Sequence, residues 1–283
     1  MSETTWLTEP DLDRPLMVVA FRGLFDTADA ATSAVNWLRK NNDGVELADI
    51  DPETFFDFTQ ERPTVSLDHE GKRVITWPEN RAHAVRTAEG QRDLVLLAGV
   101  EPHLRWRTFS QELADIADQT SAEMVITLGS MVGMAPHTRP LAVTGSSTNK
   151  LLAARMGLGS PSYQGPTGVV GTLHDSLDRA SIPVISLRVS VPHYVPASPN
   201  PMATLSLLRR FELVTGVRTD HHEFEEPAND WRERVDAAVD EDPEIAAYVR
   251  QLESQVDESE DFLPSGDELA AELEAFLRDQ RPE

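Results

Sequence analysis

The sequence predicts a three-layer α/β/α sandwich with a mostly parallel sheet, followed by an acidic helical segment. Three observations predict it. Short apolar runs alternate with helical periodicities through residues 1–219, the order expected of strand–helix–strand units. The runs Leu16-Met-Val-Val-Ala-Phe21 and Leu94-Val-Leu-Leu-Ala-Gly99-Val100 are apolar throughout, which suits strands covered on both faces. Charge then changes abruptly: residues 220–283 hold 22 acids and 5 bases, so −17 of the formal net charge of −23 lies there. The expected division is a sandwich domain over 1–219 and an acidic helical C-terminal segment and tail over 220–283.

The elements follow in order. Gly23 ends the first strand, and Asp26 or Thr27 offers a cap for a helix whose apolar stripe is Ala28, Ala30, Ala31, Ala34, Val35 and Leu38. Gly44-Val-Glu-Leu-Ala-Asp-Ile50 reads as a second strand. Thr64-Val-Ser-Leu-Asp68 and Arg73-Val-Ile-Thr-Trp77 flank a turn containing Gly71 and read as a hairpin, the one antiparallel excursion expected. After the strand at 94–100 come a helix over 109–117, the strand Met124-Val-Ile-Thr-Leu-Gly129 and a short strand Leu141-Ala-Val-Thr144. A helix over 172–180 leads to a strand over 182–189, with Pro183 at its start, where a missing N–H does no harm. Pro201 opens a helix reaching Val214. Residues 230–256 are helical in pattern, with Pro243 as a break or restart. Residues 257–266 read as a linker, and Asp267 opens a last amphipathic helix through Leu269, Leu273, Phe276 and Leu277.

Composition narrows the function classes. Hydrophobic residues make up 40% of the chain, enough for a buried core. There is no cysteine, which excludes disulfides, thiolate metal sites and a cysteine nucleophile. The first fifteen residues carry four acids and one base without an apolar run, so no signal peptide is expected and the protein reads as cytoplasmic. So acidic a chain repels phosphate backbones and anionic lipid, and neither nucleic acid nor membrane is expected as a partner. The acidic end reads either as a solubilising face or as a segment that meets a basic partner.

The phosphate-loop, nucleophile-elbow and H-E-x-x-H patterns are missing. Gly165-Pro-Thr-Gly168-Val-Val-Gly171 is one residue off the dinucleotide fingerprint and follows a loop rather than a strand. His221-His222-Glu223 is not expected to hold a metal, because adjacent residues do not converge on one ion. No cofactor, metal or catalytic residue is expected. Four loops do fall where α/β sheets place sites, beyond the carboxyl ends of strands. They supply Glu101, His137, Arg139, Tyr163, Gly165, Gly168 and His193 as candidates for a pocket or an interface. The competing reading is structural: Glu101 pairs with His103 or Arg105, His137 and Arg139 cap a helix or line a subunit contact, and the glycines serve turns.

At these same segments the chain resembles the proteasome assembly chaperone family of the second type. Pro15-Leu-Met-Val-Val-Ala-Phe-Arg-Gly23, Leu94-Val-Leu-Leu-Ala-Gly99-Val-Glu101-Pro102, Val125-Ile-Thr-Leu-Gly129 and Tyr163-Gln-Gly165-Pro-Thr-Gly168 carry the likeness, over about residues 14–255. Val191-Pro-His-Tyr194, Pro199-Asn-Pro201 and the acidic helical end point to its actinobacterial branch. The resemblance implies a sandwich similar to nucleoside phosphorylases, self-association into a homo-oligomer, and a non-enzymatic chaperone-like or scaffold role with proteasome subunits as partners. Archaeal and eukaryotic relatives dock through a C-terminal hydrophobic–Tyr–any triplet. The residues Gln280-Arg-Pro-Glu283 lack that tyrosine, so this docking mode is not expected of them. The alternative is an enzyme or small-molecule binder using a phosphorylase-like cleft with Glu101, His137, Arg139 and Tyr163.

Overall fold

A computed structural model describes residues 2–88 and 90–261. The chain begins with β1 (Thr4–Trp6), β2 (Leu16–Arg22), α1 (Ala30–Asn41), β3 (Val45–Ile50) and the single turn α2 (Pro52–Phe55). Next come β4 (Thr64–Leu67), β5 (Arg73–Thr76), β6 (Asn80–Val85), β7 (Leu94–Val100), α3 (Trp106–Gln119) and β8 (Met124–Gly133). The remainder is β9 (Val143–Ser146), α4 (Lys150–Arg155), α5 (Val169–Arg179), β10 (Val184–Pro192), α6 (Pro201–Thr215), α7 (Glu225–Asp240) and α8 (Pro243–Asp261).

Eight strands form one sheet in the order β1-β3-β6-β7-β2-β8-β10-β9. At its centre β7, β2, β8 and β10 are parallel neighbours. Strands β2, β3, β7, β8 and β10 run one way, and β1, β6 and β9 run the other. The mostly parallel α/β fold is therefore present. The expectation of a single antiparallel excursion needs correction: the β4–β5 hairpin forms a separate two-stranded sheet, and the antiparallel strands of the main sheet lie at its two flanks.

Alternation along the central strands builds the three layers. Leu16, Val18 and Ala20 of β2 face one side, against Ala30, Ala34 and Leu38 of α1 and Leu207 and Phe211 of α6. Met17, Val19 and Phe21 face the other, against Phe109 and Leu113 of α3 and Leu173 and Leu177 of α5. A two-residue period across a strand covered on both faces leaves no polar side, hence the unbroken apolar runs. Each buried leucine or phenylalanine stabilises this arrangement by roughly 1.5–3 kcal/mol. Buried Asp26 caps α1, accepting from Ala31 N at 2.8 Å and Thr32 N at 3.2 Å. Burial raises its pKa, against the hydrogen bonds from Thr32 and Ala31.

Several local readings change. Strands β1 and β6 were not anticipated. In β6 the polar Arg81 and His83 interrupt the apolar pattern, and the structure satisfies them through Glu46, Asp49 and Arg39. Strand β1 is three residues long and is held by buried Glu112, which accepts from Ser2 Oγ, Glu3 N and Thr4 Oγ1. The short strand expected at 141–144 sits two residues later. The linker expected from residue 257 is corrected through Asp261, because α8 runs unbroken to that residue; glutamate favours helix, and Arg139 grips Asp257. The remaining linker residues and the amphipathic helix expected from Asp267 lie outside the described residues.

Candidate functional site

Parallel strands that finish together bring their following loops to one edge, so the loops after β7, β2, β8 and β10 share the carboxyl edge of the sheet. The crevice there, where the chain leaves β2 toward one flank and crosses from β7 to β8 on the other, holds the loop after β2. Ser130 N donates to the Phe25 carbonyl at 2.7 Å, and Ser130 Oγ donates to the Thr27 carbonyl at 2.8 Å.

Glu101 completes this closure. Its carboxylate accepts from Leu24 N at 2.9 Å and from Val169 N at 3.1 Å. Val169 is the first residue of α5, where a helix presents unpaired N–H groups and the positive end of its dipole. An internal carboxylate thus takes the position a bound anion would favour. The surrounding glycines make room for it. A Cβ on Gly23, which has φ +153°, would lie 2.6 Å from one carboxylate oxygen, and a Cβ on Gly168 would lie 2.8 Å from the other. Tyr163 donates its hydroxyl to the Pro166 carbonyl at 2.8 Å and covers Gly165. Arg105 turns away to Glu3, so the expected pairing with Glu101 is not the contact made.

His137, Arg139 and His193 belong to a second group, at β8 and β10. His137 is 1% exposed and lies between Tyr194 and Asp236. The Tyr194 hydroxyl accepts from His137 N at 2.8 Å, so its own proton is directed to Nδ1 at 2.6 Å. His137 Nε2–H then donates to Asp236 of α7 at 2.9 Å. Burial pushes the Tyr194 phenol up, which keeps that proton in place. Arg139 forks onto Asp257 of α8, with both bonds 2.9 Å, and reaches Glu253 at 3.2 Å. The Asp257 carboxyl is lowered by the Arg139 hydrogen bonds. His193 Nδ1 donates to the Gly133 carbonyl at 3.2 Å, and its Nε2 accepts from Tyr248 of α8 at 3.2 Å. Under these contacts Trp231, Val235, Val239 and Val249 form a small apolar cluster against Tyr194, Val195 and Met202.

The seven candidates therefore divide in two. Glu101, Gly168, Gly165 and Tyr163 close the body, whereas His137, Arg139 and His193 attach α7 and α8. Sequence reasoning missed Asp236, Tyr248, Glu253 and Asp257. The available signal was the four-residue spacing of the last two on a helical pattern. On these loops several large apolar side chains are exposed: Leu24 is 63% exposed, Met134 62% and Tyr163 72%, with Leu104 and Val132 also exposed. His221, from the His-His-Glu run, contacts Glu212 and Thr219. Among the described residues no group of three or more metal-binding side chains converges, and no helix is long and apolar enough to cross a membrane.

These features define an α/β/α sandwich protein with exposed apolar side chains on the loops at the carboxyl edge of its sheet. The chain belongs to the PAC2 family, whose sequence profile matches residues 20–239. It is similar to the PAC2 family protein of Streptomyces avermitilis, with 44% identity over 83% of this chain and 99% of that one, and a TM-score of 0.78. It is also similar to a proteasome-assembly chaperone homologue of Mycobacterium tuberculosis, at 36% identity over 83% and 99% of the two chains, with a TM-score of 0.76. A proteasome activator of Pyrococcus furiosus shares the fold at 15% identity, covering 84% of this chain and 99% of that one, with a TM-score of 0.65. No curated protein matches the chain.

Proposed function

We propose that this protein is a cytoplasmic, non-enzymatic chaperone-like scaffold that holds a partner protein at the carboxyl edge of its sheet. The exposed side chains of Leu24, Met134 and Tyr163 on the loops of this edge carry the reading, because large apolar groups left in solvent there would be covered by a partner. The carboxylate and imidazole groups that a cleft enzyme would direct at substrate are instead bonded to backbone amides, Tyr194 and Asp236. The likeness to a proteasome-assembly chaperone homologue makes proteasome α-subunits the partner class to test first. A homo-oligomer is the assembly in which this edge would act, and residues 220–283 form an acidic attachment to the sandwich of 1–219.

The experiment is a quantitative pull-down of proteasome α-subunits with the full chain and with the double variant Leu24→Asp, Met134→Asp. Enrichment over a charge-matched control, lowered at least about tenfold by the double variant, is the expected result, since each buried apolar anchor contributes on the order of 1 kcal/mol or more. Equal recovery by the variant, or none above the control, rejects the reading. Light scattering measures the subunit number independently.

A further inference from the structure

The opposite edge of the sheet carries a different chemistry. At the amino ends of β7, β2, β8 and β10 lies a cavity of about 650 Å³, lined among the described residues by Arg14, Arg92, Arg155 and Arg210 and by Glu123. Arg14 stands two residues before β2 and Arg92 two before β7, while Arg155 ends α4 and Arg210 lies on α6. Four guanidinium groups thus gather in a chain whose net charge is −23.

Among the described residues two acids pair with these arginines. Arg92 pairs with Glu123 at 2.9 Å. Arg14 pairs with Asp13 at 3.6 Å, with both side chains more than half exposed. Arg210 donates to the Gly157 carbonyl at 3.3 Å, but its Nε is buried without an acceptor. The wall between the arginines is apolar, with Leu152, Met156 and Val214. Guanidinium forks suit phosphate or carboxylate oxygens in bidentate geometry, and an apolar wall suits the body that carries them.

We propose that this cavity is a binding site for a small organic polyanion, a molecule with several phosphate or carboxylate oxygens on a compact apolar or aromatic frame. The site is separate from the exposed apolar side chains of the carboxyl edge and does not depend on the partner reading. Isothermal titration and thermal shift on the full chain would use tripolyphosphate, ATP and citrate as anionic probes and adenosine as the uncharged control. Saturable binding by at least one anion and none by adenosine is expected, and comparison of the phosphate and citrate arms identifies the oxyanion. Arg155→Gln, on an exposed side chain and therefore expected to fold, should weaken binding about tenfold or more; each charge-assisted contact contributes on the order of 1.5–3 kcal/mol. Arg179→Gln, on α5 and outside the cavity lining, should leave binding unchanged. No binding by any anion at millimolar concentration, or equal loss in the Arg155 and Arg179 variants, overturns the proposal.

Discussion

The two halves of the carboxyl edge use similar residues for opposite ends. At β7 and β2, Glu101 bonds to main-chain amides of the same sandwich. At β8 and β10, His137, Arg139 and His193 bond to side chains of α7 and α8. The first set of contacts lies within the sandwich, whereas the second joins its loops to α7 and α8, and the two need not open together. The comparison teaches that strand-end loops rich in glycine, histidine and acid can close a crevice or moor a segment. Residue type alone does not distinguish the two.

The comparison can be broken most forcefully at the neighbouring Gly99, whose added Cβ would lie 1.8 Å from Asn80 Oδ1. Asn80 is buried and grips both N–H and C=O of Val100. Gly99→Ala should therefore destabilise the whole sandwich by about 3 kcal/mol or more, through overpacking and loss of that clasp. Urea denaturation checks it, and an unchanged midpoint would refute the packing argument.

Next comes acid sensitivity of the body. His174 of α5 is partly buried beside Thr127 of β8, with Thr127 Oγ1 and His174 Nε2 3.0 Å apart. Burial, reinforced by Arg188, depresses its pKa from 6.5 to about 4. Between those values the unfolded chain binds a proton that the folded chain does not. The stabilisation is therefore fully present above pH 6.5 and is lost as pH falls toward 4, by about 3 kcal/mol in total. In melts taken across this window, His174→Gln should flatten the decline relative to the native chain; parallel curves would count against the assignment.

His137→Ala should act on the other half alone. It removes the link from Tyr194 to Asp236 and should weaken docking of α7 by about 2 kcal/mol. Hydrogen exchange should speed up in α7 and α8 and stay constant in β2 and β7. Uniform acceleration would mean that the helices are integral to the body. Glu101→Gln, by contrast, turns one acceptor into a donor facing an N–H and should cost about 1–2 kcal/mol across the sandwich, read by urea denaturation. Arg139→Gln is expected to be the mildest change. Its exposed ion pairs should loosen only α8, and the difference from the native chain should vanish near about 1 M salt, where screening acts within about 3 Å.

Much of the body was legible because apolar periodicity reports burial directly. Leu16 to Phe21, Leu94 to Leu97 and the stripe from Ala30 to Leu38 are all sandwiched where their patterns require. Pro201 announced the start of α6, which Asn200 caps. Strand β6 was hidden because Arg81 and His83 are satisfied by Glu46, Asp49 and Arg39, residues distant in sequence. The same reason hid the division of the candidate site: Glu101 meets Leu24 and Val169, and His137 meets Asp236, at separations no local pattern records.

By itself the sequence determined the layered α/β body, the family and the concentration of acid toward the C-terminal end, because hydrophobic period and charge are properties of short stretches of chain. Tertiary structure alone decided which loop residues meet, that arginines from four separate segments gather at the amino edge, and that the antiparallel strands flank the sheet. Those outcomes depend on contacts between residues tens of positions or more apart in the chain, where geometry in three dimensions, and not local preference, selects the partner.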